Sequence, residues 1–165
     1  MRRSIFAILL GAPLFLSAQK IGVVDFNAIF EVMPEKADAE KLLQGLSNQY
    51  QSEYALLQDE FNKKYADYQR VANDATIGEA IKERRMQEIQ ENNRKIDNFM
   101  TGVSADLKAK EVELMAPIKQ RIHDAINAVA TEDGFSIIMY KDHAAFIGFD
   151  VVDVTPSVKT HLGLQ

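Results

Sequence analysis

Three histidines, His123, His143 and His161, are the side chains of this 165-residue sequence best suited to moving a proton near neutral pH. Two of them stand beside an aspartate, in His123-Asp124 and Asp142-His143, the neighbours a general base and its orienting carboxylate would be. Lys141-Asp142-His143 lies between two apolar runs, however, and reads as turn chemistry more than as a dyad. The sequence has no cysteine, no Gly-rich phosphate loop, no zinc-ligand spacing and no paired-carboxylate pocket. Its carboxylates mostly have a base four positions on, as in Asp59 with Lys63, Glu60 with Lys64, Glu91 with Lys95 and Asp106 with Lys110. Such pairs support a solvated helix. The expectation is a protein without catalytic residues, cofactor or metal, whose function rests on shape and surface.

The elements that set that shape are read from apolar spacing. From about residue 35 to 133 the chain is rich in Glu, Lys, Gln, Ala and Leu, which are good helix formers. Leu43, Leu46, Tyr50, Tyr54, Leu57, Phe61, Tyr65, Tyr68 and Ala72 recur in steps of 3, 4 and 4. The returning half repeats the eleven-residue spacing in Ile96, Leu107, Ile118 and Val129, and in Val103, Leu114 and Ala125. An eleven-residue repeat keeps an apolar stripe nearly straight along a helix, with a slight right-handed drift. Two helices with matching repeats can zip along their whole length. Asn73, Asp74, Thr76 and Gly78 interrupt the pattern between them, which predicts a helical hairpin with its tip near 73–79. Each arm of about 40 residues would be roughly 60 Å long or more. Pro117 removes one backbone hydrogen bond from the returning helix and predicts a bend that would splay the arms.

The flanking segments supply strands. Lys20 to Asp25 reads as a short β-branched strand, followed by a brief helix over Ala28 to Val32 with Asn27 as its cap. Asp133-Gly134 ends the long helix. Phe135 to Tyr140 is expected to be a second strand, Ala145 to Phe149 a third, and Thr155 with Pro156 the start of a last helix. At the other end, Arg2 and Arg3, an apolar run from Ile5 to Leu16 and the small pair Ser17-Ala18 have the order of a secretory signal peptide. Its apolar core is too short for the roughly 20 residues of a spanning helix. Cleavage after Ala18 leaves 147 residues with 17 basic and 24 acidic side chains, a net charge of about −7, which disfavours nucleic acid as a partner. An exported chain of this size without disulfides must gain stability from packing or oligomerisation.

Three features carry a resemblance to a known family. They are Lys20-Ile21-Gly22-Val23-Val24-Asp25 with Phe26 to Phe30, the long helical hairpin, and the run from Ile126 through Asp133-Gly134-Phe135-Ser136-Ile137-Ile138 to Asp150–Thr155 and a closing helix. In this order the chain resembles the Skp/OmpH family of periplasmic chaperones over essentially its whole length after residue 18. The resemblance implies an α+β fold, in which a small β-sheet trimerisation body carries a long α-helical hairpin as a coiled-coil-like arm. Residues 1–18 would be the signal peptide, 19–34 and 134–165 the oligomerising β body, and 35–133 the arm. It further implies a homotrimer that holds unfolded outer-membrane β-barrel proteins between its arms in the periplasm, without ATP.

The body residues expected to join copies are Ile21, Val23, Val24, Phe135, Ile137 and Ile138. Tyr50, Tyr54, Tyr65 and Tyr68 are expected chiefly in the seam between the arms, so Val71, Ile77, Ile81, Met86 and Phe99, near the tip or off the seam, are the client-binding candidates. Met100, like Met86, has an adaptable side chain suited to varied clients. Lys82, Arg84 and Arg85 resemble the family's basic tips and would touch anionic lipid peripherally. The other reading of those three is a solvated helix face paired with Glu79, Glu83 and Glu88. The best-known members of the family are strongly basic and this chain is acidic, a departure that bears on any lipid contact. An exported structural coiled coil, acting as scaffold or adaptor of the cell envelope, is the alternative function.

Overall fold

The computed structural model describes residues 19–164; the signal peptide expected at 1–18 lies outside them. In chain order the elements are β1 (Ile21–Val24), α1 (Phe26–Phe30), α2 (Pro34–Ala72), α3 (Glu79–Glu132), β2 (Ile137–Tyr140), a 3-10 turn (Lys141–His143), β3 (Val152–Asp153) and α4 (Thr155–His161). The fold is α+β, a three-stranded sheet from which two long helices extend. At 39 and 54 residues, α2 and α3 are about 58 Å and 81 Å long.

The sheet order is β2-β1-β3, with β1 parallel to both neighbours. Ile21 pairs with Ile137 and Val24 with Tyr140, while Gly22 and Val23 pair with Val152 and Asp153. The two ends of the chain are therefore neighbours in one sheet. A third strand over Ala145 to Phe149 is not what forms. That run is apolar enough to mimic a strand, but a parallel partner must start where β1 starts, so the chain has to travel back from the end of β2 first. Residues 144–151 make this return, with a turn in which the Val151 N–H donates to the Gly148 carbonyl, and the strand forms only at Val152.

Helix ends follow local chemistry. The cap of α1 is Asp25, two residues before the expected Asn27, and its Oδ1 accepts from the Ala28 N–H at 2.8 Å. At the end of α3, Gly134 takes a φ of +68° and the Phe135 N–H reaches back to the Ala130 carbonyl at 2.9 Å. This closure needs a left-handed residue, which glycine adopts without penalty. The helix continues unbroken through Pro117. Pro117 is exposed, so water can take the carbonyl that the missing N–H leaves unbonded.

Ile29, Ile122 and Val158 are wholly buried, and with Val24, Met33, Ile118, Ala125, Val129 and Val154 they form the core between the sheet, α1, α4 and the base of α3. Two bonds tie the closing segment to β1. The Val154 N–H donates to the Val23 carbonyl, and the buried Thr155 Oγ1 accepts from the Asp25 N–H, each at 2.9 Å. Replacing Thr155 by Val keeps the shape but leaves the Asp25 N–H without an acceptor. We expect Thr155→Val to lose about 1–3 kcal/mol in urea unfolding, and Thr155→Ser to recover most of it; equal stability of all three proteins would show that this bond does not hold the closing helix.

Candidate functional site

The surface available for binding is set by what the two arms bury against each other. Along the seam, Tyr50 meets Phe99 edge-to-face at 6.1 Å between ring centres, and the Tyr50 hydroxyl donates to the Asp106 carboxylate. That bond, with some desolvation, raises the Tyr50 phenol above its ordinary pKa. Phe61 and Tyr65, one turn apart on α2, stack at 6.1 Å, and Tyr65 is 46% exposed. Glu60 binds Lys64 at 2.6 Å on its own helix and approaches Lys95 of the facing helix at 3.9 Å. Its carboxyl is held below the usual range, first by the Lys64 hydrogen bond and then by the two ammonium charges. Ile89 and Asn92 are the buried residues of the outer arm. The Asn92 amide makes no hydrogen bond of good geometry among the described residues, but it lies close enough to the Glu60 carboxylate to help hold it below the usual range.

Off the seam the arms expose large apolar side chains singly. Leu56 is 71% exposed, Leu42 63%, Val112 62% and Ile81 52%, and Met100 and Met86 also face solvent. Of the client-binding candidates, Ile81 and Met86 are thus open, Val71 and Ile77 are half-buried near the tip, and Phe99 packs into the seam against Tyr50. Leu42, Leu56 and Val112 were not singled out by sequence, although the signal was there: each falls outside the eleven-residue stripes while remaining apolar.

At the tip, the Asp74 carboxylate accepts from the Thr76 N–H at 2.8 Å and the Thr76 hydroxyl at 2.6 Å, which closes the turn. The nearby bases are paired. Lys82 lies 3.0 Å from Glu79, Arg84 3.4 Å and Arg85 2.7 Å from Glu88. The Arg85 bond is the main reason the Glu88 carboxyl lies below its usual range, and desolvation opposes it.

In the body, Val23 and Val24 are buried within the chain. Ile21, Phe135 and Ile138 are half-buried, and Phe135 and Ile138 pack on the core. Ile137 is about half exposed, as is Met139 two residues on. Among the six expected contact residues, Ile137 is therefore the one most open to a second chain. The return segment adds Phe146 and Phe149, at 86% and 106% exposure the most exposed apolar side chains of the described residues. At the end of β2, His123, Tyr140 and His143 come together, with Phe26 and Phe30, around a cleft of about 350 Å³. His123 Nδ1 lies 3.3 Å from the Tyr140 hydroxyl. No cluster of His, Asp and Glu suited to a metal occurs among the described residues.

The sequence pattern of outer membrane proteins of the OmpH-like kind matches residues 20–162. The chain belongs to the OmpH-like family. Among proteins similar to this OmpH-like chain is the Chaperone protein Skp of Pectobacterium atrosepticum, 24% identical over 143 residues, which are 86% of this chain and 84% of that protein. The Chaperone protein Skp of Photorhabdus luminescens is 24% identical over 130 residues, 79% of this chain and 78% of that one. The matched span takes in both strands of the closing segment, both arms and α4, so the OmpH-like sequence pattern and the fold cover the same residues.

Two outcomes test this reading of the arms. A depressed carboxyl contributes to pairing above the ordinary glutamate pKa, and that contribution is lost as pH falls through its lower folded value. In an NMR titration Glu88 should have its midpoint below that of an exposed, unpaired glutamate, and Arg85→Gln should move it upward; an unmoved midpoint would show the pair to be absent in solution. Asn92→Ala, which removes the buried amide beside Glu60, should move the Glu60 midpoint upward in the same titration. An unmoved midpoint would show that the amide does not act on that carboxylate.

Proposed function

We propose that this chain is an ATP-independent holdase chaperone of the periplasm, exported after removal of residues 1–18, that holds unfolded outer-membrane proteins against its arms. The observation that carries the reading is the set of isolated apolar side chains, Leu42, Leu56, Ile81, Met86, Met100 and Val112, on helices that reach far from the body. Membership of the OmpH-like family and the name of the similar chaperones support it. Each side chain, once covered by client, contributes at most about 1.5–3 kcal/mol. Several together hold an unfolded segment, while any one contact breaks readily, so release needs no nucleotide. Residues 35–133 act as the arm, and 19–34 with 134–165 as the body. Three copies join through the body, where Ile137 and Met139 face solvent on the side of the sheet away from the core. Trimerisation places three arms around a common space. The paired bases at the tip fit the solvated reading better than lipid contact.

Light scattering of residues 19–165, alone and mixed with a urea-unfolded outer-membrane β-barrel diluted into buffer, tests both parts. We expect a trimer that keeps the barrel soluble in a complex of defined mass. Combined Leu42→Ser, Leu56→Ser and Val112→Ser substitutions should leave helicity and trimer mass intact and weaken client binding, about tenfold for each 1.4 kcal/mol lost. A trimer that lets the barrel aggregate would transfer the assignment to an envelope scaffold.

A further inference from the structure

The body carries an aromatic ring without a pocket and an aromatic pocket without a ring. Phe149 is fully exposed, with Phe146 nearly so beside it on the return segment. A solvent-facing phenylalanine leaves its whole apolar surface in water. The cleft of about 350 Å³ described above lies at the small end of the range for ligand sites, large enough for one ring. Its walls are themselves aromatic. Phe26 lies 5.3 Å from His123 and meets Tyr140 edge-on at 5.8 Å, and Tyr140 meets His143 edge-on at 5.6 Å. Such an array offers an incoming ring both faces and edges.

Ring and cleft sit at opposite ends of the body. Tyr140 ends β2 at one edge of the sheet, whereas Phe149 comes three residues before β3 at the other edge, on the side where the parallel strands begin. In this structure the Phe149 ring stands in solvent and is not among the residues that line the cleft of its own chain. A second copy can supply it. We infer that Phe149 of one copy inserts into the cleft formed by Phe26, Phe30, His123, Tyr140 and His143 of the next. The contact is heterologous, since different patches meet, and such contacts generate closed rings when the rotation allows. Each copy gives one ring and accepts one, so a closed assembly leaves no Phe149 exposed. This inference rests on the proposed trimer and names the contact that closes it.

The chain contains no cysteine, so introduced thiols report the contact directly. Asp150→Cys keeps Phe149 and places a thiol beside it, and Asn27→Cys places one at the cleft. Disulfides form only across Cα separations of about 4.4–6.8 Å. The two single variants of the mature chain, refolded together from urea and oxidised, should give a covalent two-chain product that neither gives alone. Phe149→Ser should weaken assembly at least about tenfold by light scattering, the scale of one buried aromatic contact, without changing the circular dichroism of diluted chains. A trimer that forms no mixed product overturns the inference and leaves the trimer standing. Self-linking of the Asp150→Cys chain alone overturns it in favour of a symmetric contact. A wild-type chain that is monomeric at every concentration overturns the trimer itself and this contact with it.

Discussion

A seam between only two helices cannot be dehydrated from all sides, and this limit governs the rest of the molecule. A helix surrounded by neighbours buries a wide stripe, but one with a single partner leaves the flanks of that stripe in water. The burial along α3 follows suit. Ile96, Val103, Leu107 and Leu114 are half-buried; Ile89 and Asn92 are covered in the outer arm, and the longest run of covered residues, Ile118, Ile122, Ala125 and Val129, lies where α1, α4 and the sheet close in. Aromatic residues and ion pairs make up part of the difference in the outer arm. Tyr50, Phe61 and Tyr65 offer broad faces that stack usefully while half wet. Glu60, between Lys64 and Lys95, links the arms at a place where apolar burial is incomplete.

The body must then anchor two long levers with a core of eleven buried side chains. Its solution is to draw both ends of the chain into one sheet around β1. The Ser136 N–H donates to the Lys20 carbonyl at 2.8 Å just before the β1–β2 ladder, and Lys20 itself reaches the Asp133 carbonyl at 2.9 Å and covers the Phe135 ring. Arg121 of α3 joins Glu35 of α2 and leans toward the carbonyl of Leu162, the residue that caps α4. One guanidinium thus spans the base of both arms and the closing helix. Removing any one of these elements opens the shared core, because none has a partner of its own.

The arms were legible in the sequence because their eleven-residue spacing is a long signal, repeated over many turns and bounded by Asn73, Asp74 and Gly78. Strands β1 and β2 were legible from Val23, Val24, Ile137 and Ile138 for a similar reason. The short pieces were less so. Ala145 to Phe149 has the composition of a strand, and only the parallel direction of the sheet, a property of the whole chain, makes it a return segment. Asp25 took the cap expected of Asn27 because the first turn starts at Phe26, whose ring is needed against His123 and Tyr140. The exposed apolar surface of the arms was less legible. Ile81 and Met86 face solvent, but Phe99 is drawn into the seam by Tyr50, a contact between residues 49 positions apart that no local pattern displays.

Exposed apolar surface is distributed in two different ways, and the difference separates two kinds of contact. On the arms it is dispersed among charges: Val112 stands between Glu111 and Glu113, Ile81 precedes Lys82, and Leu42 follows Lys41. Dispersed side chains of this kind give no continuous patch on which two folded surfaces can close, yet each can touch a flexible chain that adjusts around it. In the body, by contrast, Phe146 and Phe149 stand three residues apart on one segment, with Ile147 half-buried between them. Concentrated aromatic surface on a fixed frame suits a partner of fixed shape. Dispersed contacts bind many sequences weakly, and concentrated ones bind one surface well. In this chain the dispersed apolar side chains lie on the arms and the concentrated ones on the segment that leads into β3.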